Sequence, residues 1–166
     1  MCPADTQANW EKRMIPRTAI ILAAGDGGRI ANLIDSPKLL IEYRGKTLLE
    51  HHLYGLAEFG VDNFIFVLGW QADTIRTFVR NKCPEMLQNI TFVDNPEWET
   101  KENGYSAYLG IREVEENSCF LIMGDHVFDY GFLYNCDCVT SVHEPMIDFI
   151  DSEMLFMKPE WCTKVL

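Results

Sequence analysis

The first long apolar run, Thr18-Ala-Ile-Ile-Leu-Ala-Ala24, shows no polar alternation. Runs of this kind belong to strands buried on both faces of a parallel sheet. A glycine-rich turn follows it, Gly25-Asp26-Gly27-Gly28-Arg29. Leu39–Tyr43 reads as a short strand and Arg44-Gly45 as a turn. Thr47 then caps a helix running through Phe59, with Glu50 three residues on completing a capping box. Its apolar positions Leu48, Leu49, Leu53, Leu56 and Ala57 recur at helical spacing, and Gly60 ends it. Asn63–Gly69 is a second buried strand. Asp73–Asn81 is a short helix with Ile75, Phe78 and Val79 inward, and Ile90–Val93 is a third strand. Asn103–Glu116 reads as a helix with Tyr105, Tyr108, Leu109 and Ile111 inward. Cys119–Met123 is a fourth strand, ending at Gly124-Asp125. Further strands are expected over Cys138–His143 and Met146–Met157, around a turn at Glu144-Pro145. Strand–helix alternation predicts right-handed βαβ units, an α/β fold with an open, mostly parallel sheet.

Composition narrows this without changing it. The 166 residues are 48% apolar and 23% charged, ordinary globular values that suit one domain. Residues 1–17 read as a flexible leader, with Trp10 docking on the surface, and 18–166 as the domain. The net charge of −11 argues against a nucleic-acid or anionic-membrane surface, which needs clustered Lys and Arg. It leaves room for a small anionic ligand held by a few cations and backbone N–H groups. No apolar run approaches the roughly 18–20 residues of a membrane span. The leader has no continuous apolar core of a signal peptide, so the six cysteines are expected as reduced thiols in the cytoplasm.

Ligands of such sheets bind beyond the carboxyl ends of the strands, and three features fall there. Gly25–Arg29 is either a flexible turn or a phosphate cradle, its glycines turning N–H groups inward and Arg29 adding a planar donor fork. It has neither the P-loop nor the dinucleotide spacing. Lys38 is either a solvated lysine or, held between Pro37 and the Leu39-Leu40-Ile41 anchor, a fixed point charge suited to a transferring phosphoryl group. Asp125 is either the cap of the next turn or a Mg²⁺ ligand. His126 is either its partner or a packed side chain. Cys136 and Cys138 read as alternating strand positions and His51-His52 as a solvated helix face. Trp70 and Trp98 flank loops on the presumed ligand side, where they either stack on an acceptor or pack on the surface.

The segments LAAGDGGR, SPKLL, ENGYSAY and LIMGDHVFD together resemble the sugar-phosphate nucleotidyltransferases. Asn103-Gly104-Tyr105-Ser106 with Met123-Gly124-Asp125-His126-Val127-Phe128 is most similar to the CTP:inositol-1-phosphate cytidylyltransferases, and next to those acting on phosphocholine or phosphonates. The resemblance runs from about Thr18 to Asp129 and implies a single Rossmann-like, GT-A-like domain. It implies that Leu22, Ala23, Ala24, Gly25 and Gly27 contact base and ribose. Arg29 and Lys38 become the basic pair on the phosphates, and Asn103, Gly104 and Ser106 open a helix against the nucleotide. Asp125 becomes a Mg²⁺ ligand, with Asp151 as the second and Asp148 as its fallback.

This chain departs from that pattern in three places. Gly28 stands where the family has Thr or Ser, and Glu153 replaces a glycine. Only 26 positions separate Asp125 from Asp151, where the family carries a long acceptor-binding region. The domain is therefore expected to be shortened at its C-terminal acceptor region, and a sheet edge left exposed there would favour a homodimer. The implied reaction joins CTP and a small phosphorylated alcohol, inositol 1-phosphate first, to a CDP-alcohol and pyrophosphate. The alternatives are a sugar 1-phosphate with UTP or dTTP, or a nucleotide-binding module without turnover.

Overall fold

The computed structural model describes residues 16–27, 35–101, 103–116, 118–127 and 154–157. Its centre is strand β1 (Thr18–Ala23). A small antiparallel hairpin follows, β2 (Glu42–Tyr43) and β3 (Lys46–Thr47). Helix α1 (Leu48–Ala57), β4 (Asn63–Leu68), α2 (Ala72–Lys82), β5 (Ile90–Asp94), α3 (Asn103–Ile111), β6 (Cys119–Met123) and β7 (Met154–Met157) complete the order. The main sheet runs β5-β4-β1-β6-β7. The first four of these strands are parallel, with Ile20 opposite Ile65 on one side and Leu121 on the other. β7 pairs antiparallel with β6.

Alternation along the buried strands separates two cores. Ala19, Ile21, Phe64, Phe66, Phe120 and Ile122 face α1 and α2. Ile20, Leu22, Ile65, Val67 and Leu121 face α3. With β1 flanked on both sides, the chain leaves it toward β4 and returns across the sheet to β6. That reversal makes a topological switch point between the carboxyl ends of β1 and β6, the place where open sheets of this kind bind their ligands.

The local chemistry follows the expected signals at α1. The Thr47 hydroxyl accepts from the Glu50 N–H at 3.2 Å, and the Glu50 carboxylate accepts from the Thr47 N–H at 2.8 Å. Gly60, at φ +89°, carries the left-handed turn after the helix. Three expectations are corrected. Leu39–Tyr43 is a single 3₁₀ turn, Lys38–Leu40, followed by a two-residue strand, because Pro37 turns the chain and only Leu39 is buried. α3 ends at Ile111 and is rotated from the predicted face. Ser106, Ala107, Gly110 and Ile111 are its buried positions, while Tyr105, Tyr108 and Leu109 are half-buried. The small residues let the helix approach the sheet, since a Cβ on Gly110 would lie 2.6 Å from Ile20 Cγ2. Finally, His52 is fully buried rather than solvated.

The leader through Ile15 (with Trp10), Gly28, Arg29, the expected strand Cys138–His143, Asp148 and Asp151 lie outside the described residues. Cys83 and Cys119 are buried. Among the described residues no helix is long and apolar enough to cross a membrane.

Candidate active site

The carboxyl ends of all four parallel strands converge on one edge of the sheet. After β1, Gly27 takes φ +73°, a conformation that favours glycine. The Lys38 side chain runs across it, and a Cβ on Gly27 would lie 2.5 Å from Lys38 Cε. That path carries Lys38 Nζ to 2.9 Å from Asp125 Oδ2, just beyond β6. Both side chains are partly exposed, so solvent reaches the pair at the carboxyl edge of the sheet. Partial burial pushes the Asp125 carboxyl up. The hydrogen-bonded Lys38 ammonium more than offsets this, leaving its pKa below the ordinary carboxylate value. His126 Nδ1 lies 3.5 Å from the other oxygen, Asp125 Oδ1.

The backbone that presents Asp125 is fixed from two sides. The Gly124 N–H donates to Leu22 O at 2.9 Å, extending the β1–β6 pairing by one residue. The Gly124 carbonyl faces His52 Nε2 at 3.2 Å, which makes Nε2 the protonated nitrogen donating to it. Burial lowers the His52 pKa to about 4, the Gly124 contact opposing that shift, so the ring is neutral at pH 7. No residue but glycine fits at 124, because a Cβ there would lie 2.8 Å from Leu22 O. The sequence hid the role of His52: beside His51, and among polar neighbours, it reads as a surface residue.

The opposite rim is built by β4, β5 and α3. The Trp70 N–H donates to Ala24 O at 2.9 Å, joining the turn after β4 to the turn after β1. A Cβ on Gly69 would meet Ala24 O at 2.5 Å and Trp98 Cβ at 2.6 Å, so Trp98 lies directly against the glycine backbone. Asn95 follows β5 and is buried. Its Nδ2 donates to Ser106 Oγ at 2.9 Å, and its Oδ1 accepts from the Glu97 N–H at 2.9 Å.

Of the residues implied to contact a nucleotide, Leu22 and Ala24 are buried and Ala23 is half-buried. Gly25 is exposed and Gly27 lies under Lys38. Asn103 and Gly104 are exposed at the start of α3, whereas the Ser106 hydroxyl is buried against Asn95. Lys38 and Asp125 are brought together; Arg29 and Asp151 lie outside the described residues. Asn95 was not anticipated from the sequence, where Asn-Pro reads only as a turn.

Among the described residues no three His, Cys, Asp or Glu side chains form a group that could hold a metal ion. A metal enclosed by protein ligands therefore has no donor set there. One partly exposed, ionised carboxylate at a strand end does suit Mg²⁺, which keeps waters and substrate phosphates in most of its shell.

The pattern of the MobA-like NTP transferase domain matches residues 19–133. The chain is 33% identical over 120 residues to the bifunctional IPC transferase and DIPP synthase of Aquifex aeolicus, a match spanning 70% of this chain and 26% of that protein. The inositol-1-phosphate CTP transferase from T. maritima superposes with a TM-score of 0.59 at 30% identity, over 71% of this chain and 47% of that one. The CTP:phosphocholine cytidylyltransferase from Streptococcus pneumoniae gives 0.57 at 28% identity, over 69% of this chain and 47% of that one. The chain thus spans a quarter to a half of the length of these relatives.

Proposed function

The chain belongs to the MobA-like NTP transferase domain family, and from that membership we propose that it is a Mg²⁺-dependent cytidylyltransferase. It joins CTP to a small phosphorylated alcohol, inositol 1-phosphate first, giving a CDP-alcohol and pyrophosphate. The observation that carries this reading is the Lys38–Asp125 pair, 2.9 Å apart at the switch point of the sheet. The inositol-phosphate and phosphocholine relatives support the choice of CTP and of an alcohol phosphate.

In the reaction an acceptor phosphate oxygen attacks the α-phosphorus of CTP in line. The bond from that phosphorus to the bridging oxygen breaks, and pyrophosphate leaves with the electron pair. No protein nucleophile is used, so the residues position the substrates and balance charge. Mg²⁺, held by Asp125 with Asp151 as the second carboxylate, supplies Lewis-acid neutralisation of the phosphates. Lys38 is pre-aimed by Gly27 and offers its ammonium to the charge developing on the transferred group. Arg29 offers its fork to the triphosphate. The backbone of residues 22–27 lines the base and ribose, and Asn103 and Gly104 close the other side.

The test incubates the full chain with Mg²⁺, each of CTP, UTP, dTTP, ATP and GTP, and a panel of phosphoalcohols and sugar 1-phosphates. Products are read by ³¹P NMR. A CDP-alcohol formed with CTP in preference to the other nucleotides is the expected result. A CTP-induced rise in melting temperature without product from any acceptor would make the chain a binding module instead.

A further inference from the structure

Asn95 makes two side-chain hydrogen bonds on the rim, one with the Glu97 N–H and one with Ser106 Oγ. It is 2% exposed and lies just past the end of β5. Its N–H donates to Leu68 O at 2.7 Å, tying it to the end of β4. Its side-chain oxygen takes the Glu97 N–H, which fixes the start of the segment that carries Trp98. Its side-chain nitrogen donates to Ser106 Oγ, in the first turns of α3. Ser106 is itself 4% exposed, so the bond is shielded from water. The side-chain amide thus joins the segment after β5 to α3, while the backbone N–H of the same residue ties it to β4.

Each tie leads on to another part of the site. Trp98 lies against Gly69, and the next residue, Trp70, donates to Ala24 O in the turn after β1. Neighbouring Asp94 is held by Arg76 of α2 at 2.5 Å, so the end of β5 is anchored on its outer side too. α3 meets the sheet through small residues, with Gly110 in close contact with Ile20. Such a surface offers few side chains to lock the helix along its own axis. The buried Asn95–Ser106 bond supplies that lock at the end where Asn103 and Gly104 are exposed.

We propose that Asn95 is a positioning residue that sets the gap between the β1 turn and the start of α3, and so the nucleotide affinity of the site, without touching the nucleotide. The proposal rests on the nucleotidyltransferase reading for its ligand, but its mechanical half does not. It also reassigns Ser106, which acts through Asn95 rather than by contact with the ligand.

A matched control exists at the other end of the sheet. Asn63 Nδ2 donates to Thr18 Oγ1 at 3.0 Å, the same kind of amide–hydroxyl bond, remote from the carboxyl edge. Asn95→Ala and Asn63→Ala are compared with the wild-type full chain by three readouts. These are melting temperature, amide hydrogen exchange across residues 96–111 without ligand, and CTP affinity followed by tryptophan fluorescence with Mg²⁺ present. Both variants are expected to melt lower. Asn95→Ala alone is expected to speed exchange in α3 and to weaken CTP binding about tenfold, the scale of one lost buried hydrogen bond. Should Asn95→Ala fail to fold, Ser106→Ala removes one bond of the set and is expected to speed exchange in α3 in the same way.

If Asn95→Ala behaves like Asn63→Ala, with a lower melting temperature but unchanged exchange and affinity, the residue is only structural and the proposal is overturned. Lost affinity with unchanged exchange would mean direct contact and overturn it as well, as would faster exchange with affinity intact. A wild-type chain that binds no nucleotide would defeat the functional reading instead. The exchange comparison would still decide whether Asn95 locks α3.

Discussion

Lys38 and Asp125 hold each other, and each is expected to be needed for a different reason. Lys38→Met keeps the length of the side chain and removes the charge. It should lower turnover at least ~100-fold, the scale of losing one aimed donor in a transition state, with a smaller change in CTP affinity. Without the ammonium, the carboxyl of Asp125 should titrate higher, since partial burial then loses its main opponent. Steady-state kinetics and NMR titration of Asp125 check the two halves. His52 makes a prediction about stability and pH. Its folded pKa is about 4 against an ordinary 6.5, so the unfolded chain takes up the proton first. Its contribution is therefore full above pH 6.5 and is lost as pH falls from 6.5 toward 4, by about 3 kcal/mol. His51 and His126 deepen that shift while Asp125 and the Gly124 carbonyl oppose it. His52→Gln, which keeps an N–H for Gly124, should flatten this part of the curve. Urea midpoints of both proteins at pH 4 to 7 test it; parallel curves would show that His52 does not carry the term. Neither residue's partner was legible in the sequence, because both bonds join positions far apart in the chain.

The elements were legible where one local rule decided them. The continuous apolar runs of β1, β4 and β6 could only be buried strands, and Thr47 with Glu50 could only open a helix. Thr47→Ala should cost about 0.5–2 kcal/mol in chemical denaturation by removing that cap. α3 was misread because its tyrosines look like core. They lie outward, stacked on each other at 6.2 Å, with Lys101 over Tyr105 and Arg112 over Tyr108. Cations covering the rings let large aromatics sit at the surface, and the helix keeps its small residues for the sheet. Gly110→Val reverses that choice. Its side chain would be forced against Ile20 and Val67, so a loss of about 1–3 kcal/mol is expected from the urea midpoint. A gain in stability would show that the close approach is not needed.

On the scale of the whole molecule, the mostly parallel sheet expected from the sequence is the one found, and Lys38 and Asp125 meet at its carboxyl edge. The order β5-β4-β1-β6 and the two half-cores follow from strand alternation with helices between. The glycine-rich turn anticipated the tight passage at Gly27, but the one at Gly124, and which atom each glycine admits, had to come from three dimensions. The net charge of −11 also bears on the proposed reaction at this scale. In the proposed reaction a few cations and a metal hold the nucleotide in place of a broad basic surface, so CTP affinity should depend strongly on Mg²⁺ and only weakly on salt. Binding titrations at two ionic strengths, with Mg²⁺ present or removed by chelation, measure that directly.

The central claim is that the Lys38–Asp125 corner is the centre of nucleotidyl transfer. The most direct test is pyrophosphate release by the full chain with CTP, Mg²⁺ and inositol 1-phosphate, comparing the wild type with Asp125→Asn. The expected result is turnover in the wild type and a fall of at least ~100-fold in the variant, at nearly unchanged melting temperature. Equal rates of pyrophosphate release from the two proteins would contradict the claim.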